Sequence, residues 1–232
     1  MLHNIKLVVF DLAGTTIYDD GSIALCFQQA MQQFGYTVPV DVINPLMGYK
    51  KPQAIQLMLE KYEPDASKIT AELVATIHEQ FEQNMIDYYE QLPVVQALPN
   101  AERVMMALQK AGIKVGLNTG FSRAIADVII DKLGWMYHGL ANYLVASNEV
   151  PAGRPHPFMI QRMMEQAGIS NPKEVIKIGD TEVDVNEGKA AECLYAIAVT
   201  TGAFSREQLL PYTPDFILDD LAELLPILQI EA

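Results

Sequence analysis

The stretch LVVFDLAGTT, residues 7–16, runs four apolar residues into a carboxylate at Asp11, then into a turn that ends on two hydroxyls. An uninterrupted apolar run of this length suits a strand covered on both faces, as in a parallel sheet. Five more runs of the same kind follow, at residues 115–117, 143–146, 175–178, 196–199 and 216–218. Helical patterns separate them at residues 101–111, 123–133, 157–167 and 183–191, with a last one at 221–228. Gly112, Gly134 and Gly168 stand where three of these helices should stop. Alternating strands and helices with right-handed crossovers imply an α/β, doubly wound parallel sheet.

The alternation breaks once. Between the first strand and residue 115 the chain has almost no strand signal. Residues 22–34, 52–62 and 67–89 read as helices, the last with Ile69, Leu73, Ile77, Phe81 and Met85 spaced by four. This describes a helical unit, residues 18–92, inserted into a core made of residues 1–17 and 93–232. Hinge-like passages are expected near residues 17–22 and 89–98.

Half of the 232 residues are hydrophobic, enough for a substantial core. A net charge of −13 argues against nucleic acid and anionic membranes as partners, while leaving room for a local anion site. Cys26 and Cys193 stand alone, so neither a disulfide framework nor a cysteine metal site is expected. The first residues carry too short an apolar run for a signal peptide, and no apolar stretch reaches membrane-spanning length. A cytoplasmic enzyme is the expectation, with a homodimer left open.

In an open parallel sheet, ligands bind beyond the carboxyl ends of the strands. That rim should collect Asp11, Thr15 and Thr16 after the first strand, Asn118, Thr119 and Gly120 after the second, Arg154 after the third, and Asp180, Thr181 and Asp184 after the fourth. Singly, each has an ordinary reading as a turn former, helix cap or solvated side chain. Together they bring several carboxylates to one place, and a divalent cation would have to neutralise them. Oxygen donors of this type suit Mg²⁺.

The ordered set Asp11-x-x-x-Thr15, Thr119, Arg154 and Gly179-Asp180-x-x-x-Asp184 resembles the haloacid dehalogenase superfamily. The resemblance spans the chain and implies a Rossmann-like core with an inserted α-helical cap domain. It implies a nucleophile at Asp11, a phosphoryl-binding hydroxyl at Thr119 and an orienting cation at Arg154. It also implies a Mg²⁺ site formed by Asp11, the Ala13 carbonyl, Asp180 and, in support, Asp184.

Phosphatases of this superfamily carry a second aspartate two residues after the nucleophile, where this chain has Ala13. Without that general acid an alkoxide leaves poorly, at a cost of ~10²–10⁴ in rate. Alanine there, together with "DLAGTT", "VPAGRPHPFM" and "IKIGDTEVD", resembles the phosphonatase branch. Its hallmark is a cap lysine that forms an imine with an aldehyde substrate, and "MGYKKP" aligns Lys51 with it. Met47, Lys50, Thr15 and Gly120 are then expected around the substrate. An imine accepts the electrons of a breaking carbon–phosphorus bond, so no acid at position 13 is needed. Two departures stand out: Ala54 replaces a histidine three residues after the lysine, and Phe121 replaces a tyrosine. The expected substrate is a phosphonoacetaldehyde-like phosphonate or a related phosphorylated carbonyl compound. A phosphoglycolate phosphatase-like phosphomonoesterase is the alternative. A dehalogenase and a non-catalytic binding module rank below it.

Overall fold

A computed structural model describes residues 4–231, so His3 and the outermost ends of the expected core lie outside the described residues. In chain order the elements are β1 (Leu7–Asp11), α1 (Ser22–Gln33), α2 (Val40–Ile43), α3 (Lys51–Tyr62), α4 (Ala71–Gln91), α5 (Ala101–Lys110), β2 (Lys114–Thr119), α6 (Arg123–Leu133), β3 (Tyr143–Ala146), α7 (Phe158–Ala167), β4 (Val175–Gly179), α8 (Glu182–Ala190), β5 (Tyr195–Val199), α9 (Arg206–Leu209), β6 (Phe216–Leu218) and α10 (Leu224–Ile227).

All six strands are parallel and lie in the order β3-β2-β1-β4-β5-β6. β1 is central, and the order reverses beside it, so its carboxyl end is the topological switch point. Its side chains divide between two apolar cores. Val8 and Phe10 join the larger one on one face, while Leu7 and Val9 pack with Val145, Met159 and Met163 on the other. This two-sided burial is why the strands read as continuous apolar runs.

Helices α1 to α4 all fall between β1 and α5. α4 packs along α1 and α3 and also touches α6. Phe27 of α1 stacks on Phe81 of α4 with ring centroids 4.1 Å apart. Their apolar residues are continuous with the larger core cluster. The two passages joining these helices to the sheet run side by side. The Tyr18 amide donates to the Gln96 carbonyl and the Leu98 amide to the Thr16 carbonyl, both at 2.9 Å.

Some helix limits differ from the sequence reading for local reasons. α4 begins at Ala71, not at 67, because the Thr70 hydroxyl accepts from the Leu73 amide and caps it. Residues 66–68 form a separate 3-10 turn capped by Asp65. The helix expected over 221–228 is a 3-10 turn, Leu221–Glu223, followed by the single turn of α10, which contains Pro226. Gly134 and Gly168 end α6 and α7 as expected. Cys26 and Cys193 are both free and buried. No helix among the described residues is long and apolar enough to cross a membrane.

Candidate active site

Asp11 is the last residue of β1 and sits opposite Asn118 of β2 in the sheet register. Thr119 ends β2, and Asp180 follows β4 directly. Parallel pairing therefore delivers these side chains to one rim. Carboxylate oxygens of Asp11, Asp180 and Asp184 lie within 4.8 Å of one another, and all three residues are buried. A cavity of about 480 Å³ opens over this rim, lined by Asp11, Thr119, Gly120 and Asp180 and, from the segment between β1 and α5, by Met47 and Lys51 among others.

Each carboxylate is held differently. Asp180 accepts from the Ala203 amide at 2.7 Å and from the Thr15 hydroxyl at 3.3 Å. Burial, with the negative charges of Asp11 and Asp184 beside it, holds its pKa well above the carboxylate range. Burial also raises Asp11, against the pull of Arg154, which donates a hydrogen bond to it. Asp184 goes the other way. Burial alone would raise it, but Arg154 and Lys177 hold it below its ordinary value. Three carboxylates so close, two of them resisting ionisation, form an all-oxygen donor set that fits a hard divalent cation.

Behind the cavity lies a fully buried charge network. Arg154 pairs with Asp184 at 2.9 Å and approaches Glu187 at 3.5 Å. Lys177 pairs with Asp184 at 2.9 Å, approaches Glu187 at 3.5 Å and donates to the Asn118 side chain at 2.7 Å. The Asn118 amide in turn donates to Glu187. Sequence reading overlooked Lys177 and Glu187. The signal was there: Lys177 is the one charge inside the apolar run of β4, and such a lysine has to be paired. Replacing Lys177 with Met leaves Asp184 and Glu187 with Arg154 alone, which also serves Asp11. Urea unfolding of Lys177→Met is expected to show a loss of about 3–5 kcal/mol.

α8 starts under this network. The Asp184 side chain accepts from the Thr181 amide and hydroxyl, a reciprocal cap that fixes its carboxylate. Gly179 makes this possible, because a Cβ there would lie 2.1 Å from the Asp184 carboxyl carbon.

Lys51, at the start of α3, is only 3% exposed. Its ammonium lies 5.0 Å from the Phe121 ring centre and 5.5 Å from that of Phe27. Among the described residues it makes no ion pair. Burial, aided by Arg154, lowers its pKa to about 8. The segment that presents it is pressed onto the core. A Cβ on Gly120 would lie 2.4 Å from the Tyr49 carbonyl oxygen, so only glycine admits this approach.

Not every expected residue reaches the cavity. Thr15, Arg154 and Asp184 are buried behind its wall. Lys50 does not line it and rests its stem against Gly153. Ala54 is buried in the apolar core and does not line the cavity. His156 stacks on Phe158, and neither it nor His78 or His138 lines the cavity. Asp19, which the sequence reading passed over, does line it.

A family model described as haloacid dehalogenase-like hydrolase matches residues 8–198. The phosphonoacetaldehyde hydrolase of Paraburkholderia phytofirmans is 27% identical, covering 100% of this chain and 97% of its own. Two solved structures share the fold. A predicted phosphoglycolate phosphatase from Haemophilus somnus has a TM-score of 0.81 at 21% identity, covering 98% of this chain and 99% of its own. A phosphonoacetaldehyde hydrolase-like protein from Oleispira antarctica has a TM-score of 0.80 at 20% identity, covering 98% and 92%.

Proposed function

The chain belongs to the haloacid dehalogenase-like hydrolases, and from that premise we propose that it cleaves the carbon–phosphorus bond of a phosphonate bearing a carbonyl group. The observation that carries this reading is the amine of Lys51, buried against two aromatic rings, without an ion-pair partner among the described residues, and opening on the same cavity as Asp11.

The Lys51 amine adds to the carbonyl carbon, and loss of water leaves a protonated imine. Asp11 attacks phosphorus, the carbon–phosphorus bond breaks, and its electron pair passes into the imine to give an enamine. The product carbon takes up a proton, and hydrolysis of the imine releases the aldehyde and restores Lys51. Water then attacks the aspartyl-phosphate, freeing phosphate and Asp11. Thr119 binds a phosphoryl oxygen. Arg154 holds the Asp11 carboxylate from behind and keeps positive charge beneath it. Asp11, the Ala13 carbonyl and Asp180 would hold Mg²⁺, with Asp184 supporting them. Bound there, the metal screens the negative charge that Asp11, Asp180 and the substrate bring together. In this reading residues 18–92 are a cap that closes on the passages near 17–22 and 89–98, excluding water from the imine.

Incubation with phosphonoacetaldehyde and Mg²⁺ tests the proposal. Acetaldehyde and phosphate should appear in equal amounts, chelation should stop both, and borohydride should fix a label on Lys51. No acetaldehyde and no label, with phosphate released from phosphomonoesters instead, would replace this reading with a phosphatase.

A further inference from the structure

The cavity continues past Lys51 toward α1 and α2, where Leu25, Gln28, Val40 and Asn44 line it. Among the described residues that end carries no arginine, and Lys51 is the one lysine in the lining. The charged residue added there is Asp19, an anion. Its position is informative. α1 is a twelve-residue helix whose first turn opens on the cavity through Gly21, Ile23 and Ala24. A helix start facing a cavity normally attracts an anionic group. Here the Asp19 carboxylate accepts from the Gly21 amide at 3.0 Å and occupies that place itself. Burial raises its pKa, opposed by the Gly21 and Ile23 amides.

Resting on the phosphoryl-site reading above, we propose that Asp19 is a specificity-determining residue that limits substrates to those whose phosphonyl or phosphoryl group is their sole anionic group. The positive charge of the metal that Asp11 and Asp180 would hold serves the phosphoryl end, and the Lys51 amine, uncharged when it reacts, serves the carbonyl. A carboxylate at the other end would meet Asp19 and find the Gly21 amide already taken. Uncharged hydroxyl, amide or aldehyde ends meet no such penalty, and Gln28 and Asn44 offer them polar partners. Carboxylated compounds such as phosphoglycolate and phosphonopyruvate are therefore excluded as substrates. Rejection comes from a fixed like charge, not from lack of room.

Calorimetric titration of the Mg²⁺-loaded protein with phosphonoacetamide and phosphonoacetate separates charge from size, because the two differ little in shape. The wild-type protein should bind the amide about tenfold more tightly. In Asp19→Asn, and in Asp19→Ser as a second variant, that preference should vanish or reverse. An unchanged preference in both folded variants, or a wild-type protein that favours phosphonoacetate, overturns the role of Asp19. Binding of neither probe by the wild-type protein overturns the phosphoryl-site reading beneath it. Neither probe carries an aldehyde, so these outcomes are independent of whether Lys51 forms an imine.

Discussion

Asp11→Asn is expected to lower turnover by ~10⁴-fold or more while leaving the fold intact. The carboxamide keeps the shape of the side chain and loses the anionic oxygen that attacks phosphorus in the proposed mechanism. Stability should survive for a reason visible in the network behind the cavity. Arg154 loses one partner but keeps Asp184 at 2.9 Å and Glu187 at 3.5 Å, so it is not left as an unpaired buried charge. The change also removes one of three crowded carboxylates and relieves the pressure on Asp180. Phosphate release under single-turnover conditions, beside thermal unfolding, checks both halves. Turnover near the wild-type rate would remove Asp11 as nucleophile.

Lys51→Arg is expected to abolish carbon–phosphorus cleavage, to below about a thousandth of wild type. It keeps a positive charge near Phe27 and Phe121 but gives up the amine that the proposed mechanism condenses with a carbonyl. Loss of activity with the charge retained would separate covalent chemistry from electrostatics. Wild-type kcat/KM should rise with pH, pass half its maximum near pH 8 and level off above it, because the proposed reaction needs the neutral amine and its pKa is lowered to about 8. The same group makes a statement about stability. Its folded pKa lies below the ordinary 10.5, so between the two values the unfolded chain binds more protons. Stability from this residue therefore rises with pH across that window, and the penalty is full below about 8. Lys51→Met should unfold at higher denaturant than wild type at pH 7, with the gap narrowing toward pH 10. A variant with arginine that still releases acetaldehyde would refute the imine.

The sheet was legible because its inner strands β1, β4 and β5 are buried on both faces, which leaves apolar runs broken only by Lys177 in β4. Long helices were legible from their spacing, and α6 and α7 from the glycines that stop them. Short elements were not. α2 and α9 have four residues each, less than the repeat that defines a helical pattern. At the site, residues at strand ends could be placed from sequence, because parallel pairing sends those ends to one rim. Which side chains turn toward the cavity depends on packing between distant segments. Thus Lys51 reaches the cavity while its neighbour Lys50 lies against Gly153, a contact across about a hundred residues of chain. Asp19 was missed for a similar reason. As a letter before a helix it reads as a turn former, and it does accept from the Gly21 amide; only the cavity beside it adds a second meaning.

The central place of β1 governs when the site comes into being during synthesis. The first strand pairs with residues 114–118 on one side and 175–178 on the other. A ribosome must therefore finish three quarters of the chain before Asp11 has both neighbours and before Lys177 and Asp184 exist to balance Arg154. Until then four helices of the insertion are present with no sheet to dock on, and the apolar edges of β1 are open. Asp11 is among the first residues made and among the last to acquire its surroundings. Nascent chains stalled before β4 should be inert toward substrate and prone to association, and both properties should change together once β4 has emerged.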